Sequence, residues 1–237
     1  MSRIASIVEE WKFRQRLRRL QREYYRSARK DDALIAQYLS VLADARRALA
    51  DPLPPGRRAL HAGSGGHRLE GWLNVDAFFA PSVDLAADLS LSIPLRSESI
   101  DYIHSEDFLE HLELAGGKRF LRETWRVLKP GGVMRILTPD LAAFVQRIYI
   151  DREREHIFWC GAQLAAEGAC ESFNMHMRMD GDHRFIYDET YLRGLLSSIG
   201  FSVRRVRWNE SAEPCLRYLD LRDFGLSLFL EAVKPQR

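Results

Sequence analysis

The alternation that begins after Gly56 constrains this chain more than any other feature. Ala59-Leu60-His61-Ala62, Trp72-Leu73-Asn74-Val75-Asp76, Val83-Asp84-Leu85, Ile100-Asp101-Tyr102-Ile103-His104 and Val133-Met134-Arg135-Ile136-Leu137 read as short strands. Residues 107–114 and 117–128 read as helices, the second with Phe120, Leu121, Trp125 and Leu128 turned inward until Pro130-Gly131-Gly132 stops it. Residues 140–150 and 188–199 continue the helical pattern, and Phe201 to Trp208 and Leu226 to Val233 close it as strands. Strands that alternate with helices build a mostly parallel sheet covered on both faces, so the expected class is α/β. Ligands of such sheets bind at the carboxyl ends of the strands, where the strand order reverses. The informative residues are therefore those just past each strand.

The 237 residues suit one such domain plus an appendage. Residues 4–29 read as a helix with Phe13, Leu17, Leu20 and Tyr24 on one face. Asp31-Asp32 caps a second helix, with Leu34, Ile35, Tyr38, Leu39, Leu42 and Leu49 as its apolar stripe. Asp51-Pro-Leu-Pro-Pro-Gly56 breaks the helical period. The expected organisation is a basic helical extension over 1–50, a linker over 51–56, and the main domain over 57–237. Residues 151–187 are aperiodic, rich in His, Met and aromatic groups, and read as an insertion that walls an acceptor site.

Residues 1–30 hold ten Lys or Arg against three acids, a net +7. The whole chain carries +2, which leaves −5 for the rest. Such a basic helix packs on the domain or a second copy, as in a homodimer, or meets anionic substrate or lipid. Nucleic acid ranks last, because no recognised RNA-binding module accompanies the arginines. No apolar run approaches the roughly 18 residues a bilayer requires, and the three cysteines lack metal-like spacing. A cytoplasmic setting with free thiols is expected, with Cys160 and Cys170 as small buried apolar groups.

Gly63-Ser64-Gly65-Gly66 follows the first strand, where glycine permits positive φ and close approach of backbone to ligand. Asp76 ends the second strand, and its carboxylate suits the two hydroxyls of a ribose. Asp88, past the third, suits an exocyclic amine such as that of adenine. With these stand Gly71-Trp-Leu-Asn-Val-Asp76, Asp88-Leu-Ser90 with Ile93-Pro-Leu95, Ser99-Ile-Asp-Tyr-Ile103, Leu109-Glu-His-Leu112, and Arg126-Val-Leu-Lys-Pro-Gly-Gly132 before Arg135-Ile-Leu-Thr-Pro139. In this order and spacing the set resembles the class I S-adenosylmethionine-dependent methyltransferases, of the methyltransferase type 11 kind, over about residues 57–234.

The resemblance implies a Rossmann-like, doubly wound, seven-stranded and mostly parallel sheet, with the last strand inserted antiparallel beside the fifth. It implies S-adenosyl-L-methionine as cofactor. Gly63, Ser64 and Gly65 would pack on its methionine part and Asp76 would bind the ribose diol. Asp88 and the backbone of Leu89 would border adenine, and Ser105 would lie near the sulfonium. Two departures stand out: His61 replaces the family's usual acid, and His67 its third glycine. The short interval from Gly65 to Asp76 also leaves little or no room for a first helix.

Methyl transfer from a sulfonium is an in-line displacement, so positioning supplies much of the catalysis, and a base helps a neutral acceptor. The candidate bases are His111, His183, His104 and His176, with His111 and His183 preferred as catalytic residues. Asp107, Glu110 and His111 fall on one face of the expected helix, a spacing similar to metal-binding Glu-x-x-Glu-His sites. A hard cation with His183 as a further ligand is the sharper reading. The favoured one is no metal, with these side chains lining the helix. Phe158, Trp159, Phe173, Met175, Met177 and Phe185 are candidates to wall the acceptor.

The expected activity is methyl transfer to an oxygen or nitrogen of a small molecule or glycan. The alternatives are an RNA methyltransferase recruited by the basic helix, and a non-catalytic partner subunit that keeps the fold.

Overall fold

The computed structural model describes residues 53–152, 168–221 and 225–236, with Lys12, Gln15 and Arg16 as helical residues beyond them. The rest of the basic extension and the first half of the expected insertion, including Phe158, Trp159 and Cys160, lie outside the described residues.

Seven strands form one sheet in the order β3-β2-β1-β4-β5-β7-β6. They are β1 (Ala59–Ala62), β2 (Leu73–Asp76), β3 (Leu85–Ala86), β4 (Ile100–Glu106), β5 (Leu128–Pro139), β6 (Ser202–Arg205) and β7 (Ser227–Val233). The first five run parallel, and β7 lies antiparallel between β5 and β6. This is the sheet the sequence resemblance implied. The order reverses between β1 and β4, whose Ala62 and Ser105 are register partners.

Side-chain alternation sorts the sheet into two faces. Leu60, Ala62, Ile103, Met134, Ile136 and Leu230 build the main core with Phe120 and Leu121 of α1 (Leu114–Val127) and Leu192 and Leu196 of α4 (Glu189–Ile199). Phe120, Leu121, Thr124 and Val127 recur at helical spacing on the buried side of α1. Asp188 caps α4 by accepting from the Tyr191 N–H, and Gly200, at φ +120°, ends it. On the other face Ala59, Tyr102 and Val133 meet Leu69 and Trp72 of the β1–β2 loop and Cys215, Leu216 and Leu219, which among the described residues cover it. Leu53, from the expected linker, packs on this second cluster.

The strand-to-strand connection from β1 to β2 has no helix. Asn74 holds that loop instead: its Oδ1 accepts from the Leu69 N–H at 2.8 Å, and its Nδ2 donates to Leu69 O at 3.1 Å and Trp72 O at 3.0 Å. His61 Nδ1 also donates to Asn74 Oδ1 at 3.1 Å, which gives the histidine at this unusual position a structural use. β3 starts only at Leu85, not Val83, because Asp84 spends its carboxylate on Asn74 and Arg68. Those hydrogen bonds, led by the Asn74 N–H, hold the Asp84 carboxyl down at about 2.

Three helical expectations need correction. Residues 107–114 are not a helix: the Asp107 N–H donates to Leu137 O at 3.1 Å, which prolongs the β4–β5 pairing, and Asp107 takes φ +46°. Only a 3-10 turn, Leu109–His111, precedes α1. Residues 140–150 form one α turn, α2 (Leu141–Ala143), capped by the Asp140 side chain, and continue as a π-helix over Phe144–Ile150. Within the aperiodic stretch lies α3 (Ala169–Arg178). Cys170, in its first turn, is exposed rather than buried; Cys215 is buried, and neither forms a disulfide.

A buried ion cluster sits under the loop-covered face. Arg135 of β5, at 0% exposure, donates through Nε to Asp220 Oδ1 at 2.6 Å and through Nη1 to Glu231 Oε1 at 3.1 Å. Asp220 and Glu231 are equally inaccessible, and Glu231 also pairs with Arg204. Burial alone would raise the Asp220 carboxyl, but the charge and hydrogen bonds of Arg135 outweigh it and hold it well below the usual carboxylate range.

Candidate active site

The chain leaves β1 by a sharp bend, with the N–H groups of Gly63 and Ser64 both donating to Val75 O, at 2.9 and 3.1 Å. Gly63 and Gly65 take φ +70° and +50°, which glycine adopts at little cost. The Gly65 N–H then donates to Asp76 Oδ2 at 2.9 Å, and the Phe78 N–H to Asp76 Oδ1 at 3.2 Å. Past β3, the Ala87 N–H donates to Asp76 O at 2.8 Å. Asp88 follows directly, exposed, with Oδ1 accepting from the Ser90 N–H at 2.9 Å. The turn, Asp76 and Asp88 thus gather along one edge, at the carboxyl ends of β1, β2 and β3. Leu89 is buried, so only its backbone can border a ligand.

Ser64 and Ser105 are buried past β1 and near the end of β4, and neither Oγ has a hydrogen-bond partner among the described residues. The Phe108 ring, which the sequence reading did not single out, lies on Gly63. An added Cβ at Gly63 would stand 2.3 Å from Phe108 Cδ2. Gly63→Ala is therefore expected to cost about 1–2 kcal/mol for the left-handed backbone, plus displacement of the ring. At roughly 2–4 °C per kcal/mol the melting temperature should fall by several degrees. Adding Phe108→Ala should recover the contact part alone, and unchanged melting of the single variant would mean the ring does not cover the turn.

A second group follows Phe108 in the chain and is completed by the 183–185 segment. Glu110, His111 and His183 each offer one donor atom, all within 4.8 Å of one another. The Arg184 and Phe185 N–H groups donate to Glu110 O at 2.7 and 3.1 Å, which clamps the 183–185 segment over the 3-10 turn. Thr138 Oγ1 donates to Glu110 Oε2 at 3.0 Å. His183 Nδ1 lies 2.9 Å from His176 O, and His111 Nδ1 lies 3.2 Å from Asp182 O. A carbonyl only accepts, so both Nδ1 atoms donate and the neutral rings carry their lone pairs on Nε2. Burial, then the neighbouring His111, lowers the His183 pKa.

Asp107 does not share a helical face with this pair as expected, because its left-handed backbone places it ahead of the turn. His104 lies on the opposite face of the sheet, fully buried, with Nε2 3.5 Å from Asp220 and its ring beside His61 and Trp72. His176 is buried against Phe144, and its Nδ1 donates to Ser172 O. Phe173, Met175 and Met177 pack with Phe144, Ile148 and Leu226 in a small separate core. Phe185 stacks with Tyr187 and Tyr191.

The strand order and the antiparallel seventh strand define a Rossmann-like methyltransferase fold. Residues 74–136 match the model of the methyltransferase domain family. Over that segment, and in its topology, the chain is similar to the class I S-adenosylmethionine-dependent methyltransferases, whose cofactor is S-adenosyl-L-methionine.

Solved structures of similar fold include an S-adenosylmethionine-dependent methyltransferase from Archaeoglobus fulgidus, 16% identical over 83% of this chain and 94% of that one, TM-score 0.49. The YcgJ protein of Bacillus subtilis is 12% identical over 85% and 100%, TM-score 0.49. A Mesorhizobium loti methyltransferase is 17% identical over 80% and 96%, TM-score 0.47. Likeness this remote says nothing of activity. No curated protein matches the chain.

The edge fits the nucleoside half of that cofactor. Each Asp76 oxygen takes one backbone N–H and keeps accepting capacity for a hydroxyl. Ser64 after β1 and Ser105 in β4 keep buried hydroxyls without a partner among the described residues, and an unsatisfied buried hydroxyl costs about 1–3 kcal/mol. No helix of the described residues is long and apolar enough to cross a membrane.

Proposed function

We propose that this chain is a cytoplasmic methyltransferase that moves the methyl group of S-adenosylmethionine onto an oxygen or nitrogen of a small molecule or sugar. The supporting observation is the hydrogen-bonded union of the 63–65 turn with the Asp76 side chain, with Asp88 alongside at the same strand edge. Bound cofactor supplies a methyl group already activated by its sulfonium. Asp76 holds the ribose hydroxyls, and Asp88 with the Leu89 backbone borders the base. Gly63, Ser64 and Ser105 line the path to the methyl, and Phe108 shields it from water. His111 and His183 sit on the acceptor side and ease loss of the acceptor's proton.

A second reading, a non-catalytic subunit with the same fold, draws on the Phe108 ring lying against Gly63. Titration calorimetry with S-adenosylmethionine and S-adenosylhomocysteine separates the two. Saturable binding accompanied by a raised melting temperature is expected for the enzyme. No heat of binding at millimolar ligand would refute it and leave the subunit reading.

A further inference from the structure

We infer that Glu110, His111 and His183 form a site for one divalent transition ion of the zinc type. One carboxylate and two imidazoles, with a position left for water or substrate, is the ligand set of open, catalytic zinc centres. Their donor atoms already lie within 4.8 Å of one another, a spread that rotation of two half-buried rings can close to bonds of about 2 Å.

Two further observations point to a ligand. The Nδ1 of His183 is committed to the His176 carbonyl, and that of His111 is shared between the carbonyl and the carboxylate of Asp182, both at 3.2 Å. That outer contact fixes the tautomer and orients a metal-binding imidazole by its Nε2. Glu110 is likewise oriented, by the Thr138 hydroxyl on Oε2, although it is almost wholly buried. The three ligands come from two segments, and the backbone bonds from Arg184 and Phe185 to Glu110 O hold those segments together. The two segments are therefore joined before any ion arrives, and only the side chains need adjust.

The inference extends the proposed function by giving the acceptor side its chemistry. An acceptor hydroxyl bound at the open position would be acidified and release its proton to water; its oxygen would then bond to the methyl carbon as the bond from that carbon to sulfur breaks, leaving S-adenosylhomocysteine.

The test is metal binding by the full-length chain without cofactor, so its failure and a failed cofactor titration are separate results. The chain is stripped with chelator and dialysed against Zn2+. Bound metal is then counted, and affinity is measured by competition with a chromophoric chelator. One equivalent per chain is expected, with His111→Ala and His183→Ala each at least about tenfold weaker at unchanged metal-free melting temperature. Replacing Zn2+ by Co2+ should give visible absorption in the parent and lose it in the variants. Glu110→Gln keeps the side-chain shape and must also weaken binding, which keeps the test decisive if a histidine variant fails to fold. An unmetallated parent, or a folded variant that binds as tightly as the parent, overturns the inference.

Discussion

An Asp76→Ala chain is expected to bind S-adenosylhomocysteine at least about a hundredfold more weakly than the parent. A carboxylate that accepts from two ribose hydroxyls loses two charge-assisted hydrogen bonds on truncation, each about 1.5–3 kcal/mol, and every 1.4 kcal/mol is roughly tenfold in affinity. Asp76 also accepts from the N–H groups of Gly65 and Phe78, so its removal loosens the turn that faces the ligand. Both N–H groups lie on exposed residues and can turn to water, so the melting temperature should move only a few degrees. Asp76→Asn, which keeps one acceptor oxygen, should fall between the two in calorimetry. Equal affinity for the parent and the alanine variant would remove Asp76 from the site, and with it the reading of the β2 edge.

The largest effect on stability is expected from Arg135→Met. The methionine fills the space but leaves Asp220 without its principal cation, in a place with no solvent access. Breaking a buried pair from one side costs about 3–5 kcal/mol, so the melting temperature should fall by roughly ten degrees. Acid gives the sharper signature. In the parent, the folded-state pKa of Asp220 is depressed. Its contribution is therefore complete above the unfolded value of about 3.9 and is lost as pH falls from there toward the folded value. In the variant burial dominates and raises the Asp220 pKa, so the unfolding free energy should recover as the pH is lowered through the range above 4. Urea melts of both chains between pH 7 and 4 test this, and parallel pH profiles would show that Arg135 does not govern Asp220.

Much of the sheet was legible because β1, β4, β5 and β7 each carry an apolar run with its own stop, whereas β6 holds a single apolar residue, Val203. The seven-strand topology followed from the resemblance of the ordered motifs rather than from periodicity. Local signals failed where a long-range contact decided the backbone. Residues 107–114 have helical spacing, but the Asp107 N–H is claimed by Leu137 O on the neighbouring strand. α3 hid in a stretch without period because its buried positions are Ala169, Ser172 and His176, which supply no apolar stripe.

Of the candidate site, the glycine turn and the two aspartates could be read because each lies at or just past the carboxyl end of a strand. Phe108 could not, since nothing local says that an aromatic ring after β4 will lie on a glycine after β1. His183 was visible as a polar group of interest, but its meeting with Glu110 depends on two backbone hydrogen bonds across the fold. The Arg135–Glu231 contact needed the antiparallel register, in which the two residues are direct partners.

The loop that Asn74 holds between β1 and β2 has one more effect. Where a helix would begin, its first amides converge and present about half a positive charge to an arriving anion. This chain offers no such pole at the mouth of β1. The N–H groups of Gly63 and Ser64 are spent on Val75 O and that of Gly65 on Asp76, so the attraction for an adenosyl compound would concentrate on its sugar and base. For such a protein, adenosyl compounds shortened beyond the sulfur would be close rivals of the full-length ligand.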